Sequence, residues 1–211
     1  YNVCKYDAIT MVMTADGFYK PHLIEEKCVD CGLCASKCPV LHPDYKNEKE
    51  PEFFMAWSKN RETRRNSSSG GMFSEIAESI LIDGGEAYGA VWDENLEVEH
   101  TQVDSMEKLP PLRGSKYLQS KVNKSYKEIK VALENTAQKV LFVGIPCQVA
   151  GLKKIVKDER LLTCDLLCHG IPSYIPFKSY LASLDDKIRK VNFRDKVTGW
   201  TSYSITIIGE K

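Results

Sequence analysis

Cys28, Cys31, Cys34 and Cys38, with Pro39 after the last, form the run Cys-x2-Cys-x2-Cys-x3-Cys-Pro. This is the bacterial-type [4Fe–4S] spacing: three thiolates in one tight loop hold three corners of a cuboidal cluster, and the fourth cysteine reaches to a second cluster. The chemistry this predicts is electron transfer. The first cluster then borrows its last ligand from elsewhere in the chain, and Cys4 is the candidate donor. CxxC pairs also bind zinc, so a zinc site is the main rival. The unbroken triple spacing ending in Cys-Pro favours the cluster.

The segment Tyr1-Asn2-Val3-Cys4-Lys5 resembles the tail of a first cluster run, with Lys5 where Pro is usual. Residues 1–45 as a whole resemble two-cluster ferredoxins. That resemblance implies that Cys4, Cys28, Cys31 and Cys34 complete one cluster and that Cys38 belongs to a second. It also implies three cysteines upstream of Tyr1, so the chain reads as cut inside its first motif.

The elements that must position these groups follow from periodicity. His42 to Glu52 carries Pro43, Pro51 and a run of charges, and reads as a linker. Beyond it, Phe53 to Ser58 reads as a strand. Gly70 to Ile82 reads as a helix with Phe73, Ile76, Ala77 and Ile80 on one face. Ala87–Trp92 and Leu96–Val103 read as strands, Val122, Tyr126, Ile129 and Leu133 mark a second helix, and Lys139–Val143 is a short buried strand. A helix from about Cys147, a strand over Leu161–Cys168, a helix through Phe177, Tyr180, Leu181 and Leu184, and strands near Val191–Phe193 and Ser204–Ile208 complete the series. Met11 and Met13, two apart, read as strand packing in the N-terminal module. Interleaved strands and helices predict an α/β layer architecture. The expected organisation is an α+β ferredoxin-like iron–sulfur module over residues 1–45, then an α/β flavin-binding domain over residues 53–211. The chain stops in or just after a strand, so the C-terminal end reads as incomplete too.

The 211 residues carry 29 Lys and Arg against 29 Asp and Glu. Neutral balance argues against nucleic acid or an anionic membrane as the main partner. No apolar run approaches the roughly 20 residues of a membrane span. Eight cysteines grouped in this way point to metal ligation in a reducing compartment, hence the cytoplasm, rather than to disulfides.

Four further pieces carry a second resemblance: Asn66-Ser67-Ser68-Ser69-Gly70-Gly71, Arg113-Gly114-Ser115-Lys116-Tyr117-Leu118-Gln119-Ser120, Gly144-Ile145-Pro146-Cys147-Gln148, and Asp165-Leu166-Leu167-Cys168-His169-Gly170. In this order, behind a cluster run, they resemble the coenzyme F420 hydrogenase/dehydrogenase beta-subunit family. The resemblance implies a flavoprotein that passes electrons between [4Fe–4S] clusters and a small hydride-carrying substrate, F420-like, through FAD or FMN. A redox partner protein or subunit is expected. The rival reading is a non-catalytic electron-relay subunit that docks a partner enzyme.

Read residue by residue, the resemblance implies flavin contacts at Ser68, Ser69, Gly70, Gly71, Lys116, Tyr117, Gln119, Ser120, Pro146, Gln148 and His169. Physically, hydroxyls and backbone N–H groups at a helix start form an anion site, with Arg61, Arg64 and Arg65 just upstream. A plain serine cap beside a solvated basic loop is the alternative. Lys116 would sit near a phosphate and Tyr117 against a ring; an ordinary turn with Tyr117 in the core is the alternative. Cys147, at a helix start, is expected to be a favoured thiolate. Cys147 and Cys168 point to one rim, and the resemblance implies that further cysteines beyond Lys211 complete a third cluster with them. A redox disulfide or two buried free thiols are the alternatives. Cys164 reads as core. His169 is a candidate proton donor. Asn192-Phe193-Arg194-Asp195-Lys196 also resembles a family segment, with no chemistry assigned.

Overall fold

The computed structural model describes residues 1–43 and 50–210. Most of the linker expected at His42 to Glu52 lies outside the described residues. The chain opens with an antiparallel hairpin of β1 (Ile9–Met13) and β2 (Tyr19–Leu23), registered Ile9 to Leu23 and Met13 to Tyr19. Met11 is half-buried, whereas Met13 faces solvent, so the packing expected of the pair holds for one of them. The hairpin turn requires Gly17: its φ is +78°, and a Cβ there would stand 2.2 Å from the Ser173 hydroxyl oxygen. The cysteine run follows. Asp30 and Gly32 take left-handed conformations and wind the chain tightly into α1 (Leu33–Ser36), which carries Cys34.

Residues 53–58 belong to no helix or strand ladder among the described residues, contrary to the expected strand; Phe53, Phe54 and Met55 face solvent. Strand propensity reflects packing against cross-strand neighbours, and no described strand lies alongside. The segment is instead tied down by the Ser58 N–H, which donates to Gly70 O at 2.7 Å. Asn60 then caps α2 (Arg61–Arg65), its Oδ1 accepting from the Glu62 and Thr63 amides. Bends over residues 66–71 lead into α3 (Met72–Ile82).

A five-stranded mixed sheet forms the body. It is built from β3 (Glu86–Trp92), β4 (Val98–Val103), β5 (Ser120–Lys121), β6 (Val140–Gly144) and β7 (Leu161–Asp165), in the order β5-β4-β3-β6-β7. β3 and β4 form an antiparallel hairpin; β6 runs parallel to both β3 and β7. Helices α4 (Ser125–Asn135) and α5 (Pro146–Lys153) flank β6 in sequence. Every residue of β6 is buried. Leu141 and Val143 pack with Ala77, Ile80 and Leu81 of α3, while Val140 and Phe142 pack with Tyr126, Ile129, Leu133, Val149 and Leu152 of α4 and α5. A strand covered on both faces reads as one continuous apolar run, and its side-chain alternation is visible only in the packing.

β7 ends at Asp165, where its partner β6 ends at Gly144, so Cys168 lies in the following loop rather than at a strand end as expected. Helix α6 (Tyr174–Ala182) and the antiparallel pair β8 (Ile188–Asp195) and β9 (Ser204–Gly209) complete the chain. A third apolar cluster of Val98, Leu118 and Tyr174, lined by Tyr19, Trp92, Phe177 and Phe193, packs where the N-terminal hairpin, the sheet, α6 and β8 meet. No helix among the described residues is long and apolar enough to cross a membrane.

Candidate functional site

All eight cysteines are free thiols. Cys28, Cys31 and Cys34 are exposed and Cys4 and Cys38 half-buried. The Cys4 sulfur accepts the Ala8 amide at 3.3 Å, and N–H donation from Ala8 and then Tyr6 lowers its thiol pKa. Thiolates hold iron–sulfur centres and amide hydrogen bonds to the sulfurs are among the features that tune them, so the donor set fits such a centre. Among the described residues no three Cys, His, Asp or Glu side chains converge on a single point. A cuboidal cluster asks for less convergence, because each thiolate binds a different iron.

Cys147 and Cys168 interact electrostatically with each other, so the sheet and its loops do bring them to one place. The Cys147 thiol is not the favoured thiolate expected at a helix start. Burial first, then the Cys168 charge, push it up, outweighing the amides of Gln148 and Cys147. Cys164 packs beside the α3-side core, and burial raises its thiol too.

A groove of about 620 Å³ lies between the Asn66–Ser68 bend, the Pro110–Lys116 loop and β8. Arg65, Arg113, Lys116, Lys190, Arg194 and Lys196 line it, opposed by one carboxylate on its wall, Asp195. The Arg194 Nε is buried with no hydrogen-bond partner, and its guanidinium lies 4.2 Å over the Tyr203 ring. Burial pushes the Lys116 ammonium down to about 8 while it donates to the carbonyls of Pro111 and Arg113. Ser68 Oγ accepts the Ser115 amide at 2.6 Å and so ties two of the groove walls together. Next to this groove lies a second, more open pocket of about 470 Å³, lined by Trp57, Arg64, Ser69, Gly70 and Trp200. Lys196 links the two: its Nζ sits 3.6 Å over Trp200 and donates to the carbonyls of Arg64 and Ser67.

The expected contact residues divide. Ser68 and Lys116 line the groove, and Ser69 and Gly70 line the adjoining pocket. Gly70 is small for another reason than ligand approach: a Cβ there would stand 2.7 Å from Ala56 O. Gly71, with φ +88°, is the left-handed residue that starts α3. Tyr117, Gln119, Ser120, Pro146, Gln148 and His169 lie off both cavities. Tyr117 is exposed and meets Phe193 edge-on. Gln148 caps α5 through the Ile145 amide and donates to Ser120 O. Ser120 bonds Nδ1 of buried His100, whose Nε2 donates to Val143 O, and burial holds that imidazole down at about 4. His169 sits in the exposed loop after β7.

Gln119 joins the N-terminal hairpin to the body. Its Oε1 accepts the Tyr19 amide at 2.6 Å and its Nε2 donates to Tyr19 O at 2.9 Å. Beside it, Glu97 receives the Tyr19 hydroxyl, Lys121 at 3.0 Å and Lys178. Burial alone would raise the Glu97 carboxyl, but Lys178, Tyr19 and Lys121 together outweigh it and hold it at about 2. Sequence reasoning passed over Lys190 and singled out the segment holding Arg194 and Lys196 without assigning it chemistry, because a β-hairpin carries them and nothing local marks a hairpin's partner.

Residues 1–41 match the 4Fe-4S dicluster domain family, and residues 137–209 match the family that forms the C terminus of the coenzyme F420 hydrogenase/dehydrogenase beta subunit. In fold, the chain is similar to a chain of the F420-reducing [NiFe] hydrogenase complex from Methanosarcina barkeri, studied with xenon, at TM-score 0.51 and 17% identity. The match covers 72% of this chain and 58% of that one. No curated protein matches. Residues 1–41 are thus of the 4Fe–4S ferredoxin type, and residues 137–209 are like the C terminus of the F420 hydrogenase/dehydrogenase beta subunit.

Proposed function

We propose that this iron–sulfur, F420 hydrogenase beta-subunit-like chain is the flavin-bearing part of an oxidoreductase, passing electrons between [4Fe–4S] centres and a small hydride-carrying substrate of the F420 kind. The observation that carries this reading is the basic groove with its orphaned Arg194 Nε, open beside a pocket walled by Trp57 and Trp200. A flavin nucleotide, FMN or FAD, combines an anionic phosphate end with a flat aromatic ring, and the two cavities offer one environment for each.

Arg194, Lys190 and Arg113 would hold the phosphates, with Ser68 fixing the loop geometry between them. Trp57 and Trp200 would bound the ring and exclude water from one face. A bound flavin exchanges a hydride on one side and single electrons on the other. Lys116, held low by burial, can hold or release a proton at Nζ near neutral pH, and its charge favours an anionic ligand.

Cys4, Cys28, Cys31 and Cys34 would ligate one cluster and Cys38 a second, with Cys147 and Cys168 as half of a further site. The flavin would require a redox partner subunit to supply or drain electrons, as the complex from which the similar fold comes suggests.

The test is anaerobic purification of the full-length protein with flavin absorbance, iron and labile sulfide measured together. Stoichiometric flavin that is lost in the Lys190→Ala, Arg194→Ala double variant supports the assignment. Iron and sulfide without flavin overturn it in favour of the relay subunit.

A further inference from the structure

The first turn of α4 touches the loop that carries Cys4. Lys127 Nζ donates to the Cys4 carbonyl at 3.2 Å and pairs with Asp7 at 2.8 Å. Asp7 stands three residues after Cys4 with φ +48°, a left-handed turn that swings its carboxylate back towards Lys127. The Ala8 amide, next in line, donates to the Cys4 sulfur. Asn2 anchors the same loop, donating to Asn123 O just ahead of α4 at 2.9 Å. One cation of the body and one anion of the module are therefore fixed beside one thiolate.

We propose that Lys127 and Asp7 are a tuning pair that sets the reduction potential of the iron–sulfur centre held by Cys4. This rests on the reading of Cys4 as a cluster ligand. Reduction adds one electron, hence one negative charge, to the cluster and its thiolates; no bond forms or breaks, and the electron comes from a low-potential reductant such as dithionite. Nearby charge and hydrogen bonding are among the factors that set such a potential. The Lys127 ammonium favours the more negative reduced state and raises the potential, while Asp7 offsets part of that field. Because Lys127 belongs to the body and Asp7 to the module, the tuning operates only while the two are docked.

The test is a mediated redox titration of the anaerobic full-length protein, read by the paramagnetic signal of the reduced cluster. Lys127→Gln is expected to weaken the reduction equilibrium about threefold to tenfold, a midpoint about 30 to 60 mV more negative at about 59 mV per tenfold for one electron. Asp7→Asn is expected to move it positive, and the double variant to lie near the parent. Lys187→Gln, which removes the same charge just ahead of β8, is expected to leave the midpoint unchanged. Parent midpoints in both single variants, with iron and sulfide content intact, overturn the tuning pair alone. Unchanged iron and sulfide in Cys4→Ser overturn the ligand assignment beneath it.

Discussion

Two regions of this molecule concentrate charge, and they treat it in opposite ways. At the junction between module and body, Glu97 gathers Tyr19, Lys121 and Lys178, and Asp93 gives Lys121 a second partner at 3.4 Å. In the groove, six cations face one carboxylate, and among the described residues none of the six is ion-paired to Asp or Glu. Charge that finds partners inside the chain stabilises a fold. In the groove, burial first and then the neighbouring Arg194 and Arg64 keep the Lys196 ammonium below its ordinary value, and a cluster of cations so held suits the anionic ligand proposed above.

The sharpest way to break this contrast is at Glu97. Glu97→Ala strands Lys178 and the Tyr19 phenol and leaves Lys121 with Asp93 alone, and is expected to cost about 3 kcal/mol. For a chain of this size that lowers Tm by roughly 6 to 12 °C in a calorimetric melt. Groove ligand affinity in the still-folded protein should not change. A variant that melts with the parent would place the junction among ordinary surface contacts.

Acid tests the same region from another side. Glu97 is held at about 2, below the usual carboxylate range, so its contribution is complete above about 4.5 and declines as pH falls towards 2. His100 is buried neutral at about 4, so the unfolded chain takes up its proton first. Stability is therefore expected to fall by roughly 3 kcal/mol between pH 6.5 and 4 from His100 alone. His100→Gln should flatten that window in chemical denaturation, and a window unchanged by the variant would remove His100 as its cause.

Gly17→Ala is a smaller perturbation, because it leaves every charge in place. It forces a side chain into a left-handed position against Ser173, and should cost about 1–2 kcal/mol. The expected signature is faster amide exchange confined to the N-terminal hairpin. Uniform acceleration across the five-stranded sheet would mean that module and body open as one unit.

In the groove, Arg194→Ala should leave Tm within about 1 °C and weaken FMN binding by about tenfold, read by quenching of FMN fluorescence. Binding should also weaken as salt rises, whereas the half-buried junction should respond less. Loss of stability without loss of binding would reverse the roles assigned to the two regions.

Much of the body was legible in the sequence because its period was local. The Phe73, Ile76, Ala77 and Ile80 stripe is α3, and the apolar run ending in Gly144 is β6, where both faces are covered. The cysteine run was legible because ligand spacing is itself a chemical constraint. The groove was only half legible. Its Ser68 and Lys116 walls carry recognisable turns, but its third wall, with Lys190 and Arg194, is β8, joined to them by tertiary packing that no spacing announces. Gln119 and Gln148, expected as flavin contacts, lie off both cavities for a related reason. An amide in a motif is ambiguous between binding a ligand and binding the chain, and here backbone groups of Tyr19, Ile145 and Ser120 reach them. Residues 53–58 failed because an extended run needs a neighbour that the run itself cannot specify.

The clasp at Gln119 has a consequence for anyone building chimeras from this chain. Its amide reads only the main chain of position 19, donor and acceptor alike, and is indifferent to the side chain there. A foreign hairpin transplanted onto this body would engage that clasp through its main chain alone, provided its edge presents a free amide and carbonyl at the same height. Divergence in the side chain at that same position would be felt at Glu97, which accepts the Tyr19 phenol.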